Sequence, residues 1–226
     1  MVNELLEETL GVGAEAIIFK GVFLGRDVVV KQRIPKPYRH AMFDKIFRYS
    51  RTKTEAKVLA KLYSAGLYVP ALVLVDLVNY IIVMEYIQGV KLSEIINELD
   101  EEKLRKYAYT LGLQVGIMHS LNIYHGDLTL SNILVEEDKV YIIDFGLAGF
   151  SNDVEEYAID LHLLKRNLLA IAPDKTEVFF KEFLEGYKRN YRRDYNEVIE
   201  RLEEIRLRGR YVEERLKRKT SRDKYV

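Results

Sequence analysis

Asp127, Asn132 and Asp144 are residue types that can handle phosphate and a hard metal ion, and they follow one another at short spacing. The first two lie in the loop His125-Gly126-Asp127-Leu128-Thr129-Leu130-Ser131-Asn132. The third opens Asp144-Phe145-Gly146 after the apolar run Val140, Tyr141, Ile142, Ile143, which reads as a buried strand that fixes the acid at its end. An amide oxygen and an ionised carboxylate can share a Mg2+ ion that bridges phosphate oxygens. A second carboxylate, Asp127, can then accept a proton or orient the attacking oxygen. A turn or a strand-end Asp is common by itself, but both in order, joined by a strand pair, point to a metal-dependent phosphoryl site.

The residues upstream supply what such a site needs around it. From Leu10 to Lys31 apolar runs alternate with turn signals, predicting strand, loop, strand, turn, strand. The loop Gly11-Val12-Gly13-Ala14-Glu15-Ala16 has glycines that let backbone N–H groups approach phosphates, although a plain hairpin turn would use the same residues. Lys31 ends the run Val28-Val29-Val30 and can reach phosphate. Glu55 can hold its ammonium in place from a helix expected over 51–65, on which Ala56, Leu59 and Leu62 recur at helical spacing before Gly66 stops it. A strand pair expected over 70–76 and 80–85 runs into Met84-Glu85-Tyr86-Ile87.

Between Lys31 and Lys53 stand eight basic side chains against one acid, Asp44. Pro35 and Pro37 exclude a regular helix there, so an extended loop is expected before Met42, Ile46 and Phe47 resume an amphipathic pattern. Such a segment suits RNA phosphates or an acidic partner, or is a solvated connection. Asp100, with Glu101 and Glu102, reads as the start of a helix to about Ser120 whose stripe of Leu104, Tyr107, Leu111, Val115 and Met118 faces a core. His119 near its end reads as structural, with no partner at metal-ligand spacing in the sequence. Asp153 caps a helix containing Asp160, Phe179 to Tyr187 mark another, and a last core helix is expected over 195–207.

Composition narrows the class. With 226 residues and 48% hydrophobic content the chain can bury a full core. Lys plus Arg equals Asp plus Glu at 35 each, so no global field argues for nucleic acid or membrane. Zero cysteines exclude disulfides, zinc thiolates and thiol nucleophiles. With no signal segment and no apolar run of membrane length, a cytoplasmic protein with no membrane partner is expected. Residues 206–226 carry nine basic and three acidic side chains, a cluster that can contact phosphates.

Lys31, Glu55, Asp127, Asn132 and Asp144-Phe145-Gly146 resemble the protein-kinase superfamily in order, over most of the chain. The Gly-Ala-Glu-Ala loop, Arg33-Ile34-Pro35-Lys36-Pro37-Tyr38-Arg39, His-Gly-Asp-Leu-Thr and the basic Arg-Gly-Arg tail are similar to the kinase/ATPase subunit of the KEOPS complex, the PRPK-like family related to RIO kinases. The resemblance implies an α+β, bilobal protein-kinase-like fold, with a β-rich N-lobe over 1–86, a reduced helical C-lobe over 87–208 and a basic tail over 209–226. It implies ATP and Mg2+ as cofactors, with Asn132 and Asp144 on the metal and Asp127, Lys31 and Glu55 as the catalytic set. Gly11, Gly13, Ala14, Glu15 and Ala16 would cover the phosphates, and Met84, Glu85 and Ile87 would form the adenine hinge. Asp160 would anchor the catalytic loop from behind. The implied partners are KEOPS-like subunits, including the threonylcarbamoyl-transferase subunit, and tRNA held by the tail.

The chain also departs from ordinary protein kinases. Gly126 replaces the arginine of His-Arg-Asp, Thr129 replaces a lysine, Ala16 replaces the third loop glycine, and little chain separates Gly146 from Asp160. These changes favour ATP hydrolysis in a tRNA-modifying assembly over serine/threonine protein phosphorylation. Small-molecule phosphotransfer and a nucleotide-holding scaffold are the remaining alternatives.

Overall fold

The computed structural model describes the backbone of residues 6–222 and the side chains of residues 7–208. Its first sheet has the order β1-β2-β3-β5-β4, built from β1 (Leu6–Val12), β2 (Ala16–Phe23), β3 (Arg26–Arg33), β4 (Leu72–Asp76) and β5 (Ile81–Glu85). All its pairings are antiparallel. Leu24 (φ 50°) and Gly25 (φ 75°) close a two-residue hairpin that sets Phe23 opposite Arg26 and thereby Ile18 opposite Lys31. Val28, Val30, Ile81 and Val83 alternate onto one face and are buried, with the partly buried Phe19 and Phe23 packed against them.

Helix α1 (Ala41–Ser64) begins after Pro35 and Pro37 are passed, where the amphipathic pattern of Met42, Ile46 and Phe47 is expected to resume, and it runs unbroken through the helix expected over 51–65. It buries Val58, Leu59 and Leu62, and Gly66 (φ 81°) ends it by donating its N–H to Tyr63. After β5 come β6 (Val90–Lys91), the short α2 (Leu92–Ile95) and α3 (Glu101–Ser120), which starts where Asp100 accepts the N–H of Lys103.

Strand β7 (Ile123–Tyr124) leads into the His125 loop, after which β8 (Ile133–Glu136) and β9 (Lys139–Ile142) form a hairpin joined to β6. The chain groups into two compact units at places other than residue 86. One holds the chain up to Lys103 together with Leu130–Gly149, because the β8–β9 hairpin pairs with β6; the other holds Leu104–Thr129 and the chain from Phe150 on.

The second unit is helical, with most of α3, then α4 (Val154–Ile171), α5 (Thr176–Asn190) and α6 (Tyr195–Arg222). Asp153 caps α4 by accepting the N–H of Glu155. The expected stripe of α3 is buried throughout. Gly112 and Gly186 let α3 and α5 touch at backbone distance: a Cβ on Gly112 would lie 2.0 Å from the Phe183 carbonyl oxygen, and one on Gly186 would lie 2.2 Å from that of Tyr109.

The last helix does not end at Leu207 as expected but continues to Arg222. Its straight-chain charged side chains are good helix formers, and one interior glycine, Gly209, is too small a penalty to stop it. The backbone of the expected tail is therefore helical to Arg222, while the side chains of 209–222 and all of 223–226, on which the tRNA expectation rests, lie outside the described residues. Among the described residues no helix is long and apolar enough to cross a membrane.

Candidate active site

The alternation of β3 puts Lys31 and Arg33 on the same face of the strand, and both cations are buried against one acid of α1. Lys31 Nζ donates to Glu55 Oε1 at 2.8 Å, and Arg33 Nη2 donates to Glu55 Oε2 at 2.5 Å. Arg33 Nη1 also reaches Thr52 Oγ1, one turn earlier on α1. The carboxylate of Glu55 is therefore gripped at both oxygens, which fixes the rotamer that faces Lys31.

Lys31 also donates to Asp144 Oδ1 at 2.6 Å. Burial opposes its charged form, but Glu55 and Asp144 more than offset that and hold its pKa above the ordinary lysine value. Asp144 follows β9 with φ 61°, a left-handed conformation that Asp tolerates, and its Oδ1 also accepts the N–H of Gly146. The N–H of the preceding Ile143 donates to the Asn132 carbonyl at 2.9 Å, so the segments carrying Asn132 and Asp144 are locked side by side.

A cleft of about 570 Å3 opens onto this group within the same unit. Leu10, Ile18 and Val29 line it from the sheet, Met84, Glu85 and Ile87 from the end of β5, and Lys31, Asn132 and Asp144 at the polar end. Met84 and Ile87 are buried apolar walls, whereas Glu85 is exposed and binds the Ala71 N–H through its carboxylate. Glu55 stands behind Lys31 rather than in the cleft.

Gly11, Gly13, Ala14, Glu15 and Ala16 are not among the cleft walls. Their turn folds on itself, with the Gly13 N–H donating to the Ala16 carbonyl at 2.9 Å. Ala16 is buried at the start of β2, and the Glu15 side chain turns to Arg39 at 2.7 Å.

Asp127 belongs to the helical unit, where its N–H donates to His125 Nδ1. Asp160, wholly buried on α4, takes the N–H of His125 on Oδ2 at 2.6 Å and that of Gly126 on Oδ1 at 2.8 Å. Gly126 has φ 78°, which explains a glycine where ordinary kinases carry arginine. His119 lies 3.2 Å from Asp160 and 3.0 Å from the Tyr187 hydroxyl, stacked on Tyr157. Burial keeps its pKa below the ordinary histidine value, although Asp160 opposes this. It is structural, as its spacing implied, and supports the residue that holds the loop.

The sequence reading missed Arg33 as the second cation on Glu55 and Arg39 as the partner of Glu15. The period-two spacing of Arg33 from Lys31 was the available signal for the first. The second depends on how the loop after β3 folds back, which no local pattern encodes. Of the basic segment, Arg33, Arg39 and Arg48 are engaged in ion pairs rather than open to a ligand.

The protein kinase domain family matches residues 5–164. The chain is 43% identical over 208 residues to the KEOPS complex subunit Bud32 of Pyrococcus abyssi, covering 89% of this chain and 94% of that one. It is 40% identical over 209 residues to a probable bifunctional tRNA threonylcarbamoyladenosine biosynthesis protein of Methanobrevibacter smithii, covering 92% of this chain. A protein of the same description from Methanosphaera stadtmanae is also 40% identical. The chain spans only 38% and 36% of these two longer relatives. In fold it resembles WaaP, solved in complex with acyl carrier protein, with a TM-score of 0.61 at 19% identity over 88% of this chain and 84% of that one. The ordered lysine, glutamate, asparagine and aspartate motifs and the near full-length match to Bud32 agree: the chain belongs to the protein kinase domain family, in the branch that contains the KEOPS subunit Bud32.

Proposed function

We propose that this chain is an Mg2+-dependent ATPase of kinase fold, working as one subunit of a KEOPS-like assembly that forms threonylcarbamoyladenosine in tRNA. The observation that carries the nucleotide part is the Lys31–Glu55–Asp144 group at the polar end of a cleft with apolar walls. The cleft suits a flat base at Met84 and Ile87 and a charged tail at Lys31. Lys31 neutralises phosphate charge, and Glu55, itself held by Arg33, keeps the ammonium aimed.

Asn132 and Asp144 are the residues that would hold the metal. They offer an amide and a carboxylate oxygen on adjoining segments, a hard donor pair that leaves room for phosphate and water oxygens. Bound there, Mg2+ would screen the phosphate charge. Asp127, by its motif position, orients the attacking oxygen.

Water is favoured over a protein hydroxyl as the nucleophile because α4 begins at Val154, close after Gly146, leaving little chain for a peptide platform. The assembly and tRNA assignments rest on the relatives' names, a KEOPS complex subunit and tRNA threonylcarbamoyladenosine biosynthesis proteins; the threonylcarbamoyl-transferase subunit as a partner rests on the family resemblance of the sequence motifs. Labelled ATP given to the protein alone, or with serine- and threonine-bearing acceptors, separates the chemistries. Label released as inorganic phosphate supports the proposal, and stoichiometric label on acceptor hydroxyls sinks it.

A further inference from the structure

Glu15 is the one acid in the turn between β1 and β2, and an acid beside bound phosphates would repel them. The strands flanking the turn supply Leu10 and Ile18 to the cleft, which places the turn at its edge. The carboxylate is nevertheless engaged elsewhere: Arg39 Nη2 donates to Glu15 Oε1 at 2.7 Å.

Arg39 is itself held on the first turns of α1. Its Nη1 lies 3.9 Å from Asp44, and its guanidinium lies 4.1 Å from the centroid of the Phe47 ring. Asp44 is buried and also takes the Lys36 N–H at 3.3 Å and Arg48 Nε at 2.7 Å, with Arg48 lying over Tyr80. Charges alternate along Glu15, Arg39, Asp44 and Arg48, so the group is neutral as a whole. It is anchored on the helix that also presents Glu55 to Lys31. The backbone adds one more tie, from the Ile34 N–H to the Glu15 carbonyl.

We infer that Arg39 is a positioning residue for nucleotide binding: by neutralising and holding Glu15 it keeps the acid of the β1–β2 turn off the phosphates and fixes that turn to α1. It touches no substrate and acts only through Glu15. This rests on the ATP reading of the cleft.

The test compares Mg2+-ATP with adenosine, which shares the base and ribose but has no phosphate, by equilibrium binding to the full chain. Arg39→Ala is expected to weaken ATP about tenfold, the effect of losing about one charge-assisted contact, while adenosine affinity stays unchanged. Adding Glu15→Gln to Arg39→Ala is expected to restore most of the ATP affinity, because the uncompensated charge is gone, and Arg39→Lys to lose less than Arg39→Ala. The loss should shrink as salt is raised. Equal losses for ATP and adenosine, or no rescue by Glu15→Gln, would overturn the role of Arg39 and leave the ATP reading standing. A wild-type protein that does not bind ATP would overturn that reading, and this inference with it.

Discussion

Asp160 receives the backbone N–H groups of both His125 and Gly126, one on each carboxylate oxygen. The loop that carries Asp127 is thus held from behind by a wholly buried acid, which His119 and Tyr187 in turn support. Since Asp160 and the proposed nucleotide cleft lie in different compact units, disturbing this anchor should touch turnover and spare binding.

Asp160→Asn tests that separation. An asparagine has one acceptor oxygen, so one of the two N–H donors is left facing an amide nitrogen. An unsatisfied buried donor costs about 1–3 kcal/mol. If that cost falls on the productive loop geometry, turnover drops about ten- to hundredfold, while ATP affinity stays within about twofold. Steady-state kinetics beside equilibrium ATP binding check this, and a matching loss of affinity would contradict it.

Asp144→Ala is expected to abolish the dependence of ATP affinity on Mg2+, because the carboxylate at the polar end of the cleft is removed. Lys31 keeps Glu55 and remains available to phosphate, so metal-free nucleotide should bind at least as well as to the wild type. Titrations with and without Mg2+ read this directly. An unchanged Mg2+ effect would show that the metal is held elsewhere.

Glu55→Leu should destabilise the protein more than Lys31→Met. Removing the glutamate leaves buried Arg33 without a carboxylate and Lys31 with Asp144 alone, whereas removing the lysine leaves Glu55 paired with Arg33. Breaking a buried pair by taking one partner costs about 3–5 kcal/mol, and the Glu55 variant should fall at or above that range. Urea unfolding monitored by circular dichroism measures the order. Equal losses would mean that Arg33 does not depend on Glu55.

The Lys31–Glu55 pair was legible in the sequence, because the two residues follow one another in motifs whose chemistry dictates their types and order. The Asp100 and Asp153 caps and the buried stripe of α3 were legible too, since each is a local pattern with a local cause. Arg33 left only its period-two spacing from Lys31 as a signal, and the Arg39–Glu15 pair and the support of Asp160 by His119 left none. Each joins residues far apart in the chain, and a charged side chain looks the same in sequence whether it faces solvent or a buried partner. Pro35 and Pro37 showed where α1 could not be, and the pattern resuming at Met42 lay next to its true start at Ala41.

Stability should fall on mild acidification. His119 and His162 both have pKa values held below the ordinary histidine value of 6.5, His119 by burial and His162 by burial with Arg166 and Lys165 nearby. Below that value the unfolded chain binds protons that the folded chain refuses, so stability drops as pH falls from about 6.5 toward the folded-state values, by at most about 1.4 kcal/mol per pH unit for each group. Urea unfolding at a series of pH values should show this slope, and His162→Gln should remove part of it. A slope unchanged by that substitution would assign the effect to other groups.

ATP hydrolysis is read from phosphate release from Mg2+-ATP, measured for this chain alone and then with the proposed KEOPS-like partner protein and tRNA. Release is expected to rise when partner and tRNA are added, to disappear in Asp144→Ala, and to leave no stoichiometric phosphate on protein. Stoichiometric transfer to a protein hydroxyl, with no partner-dependent release, would contradict it.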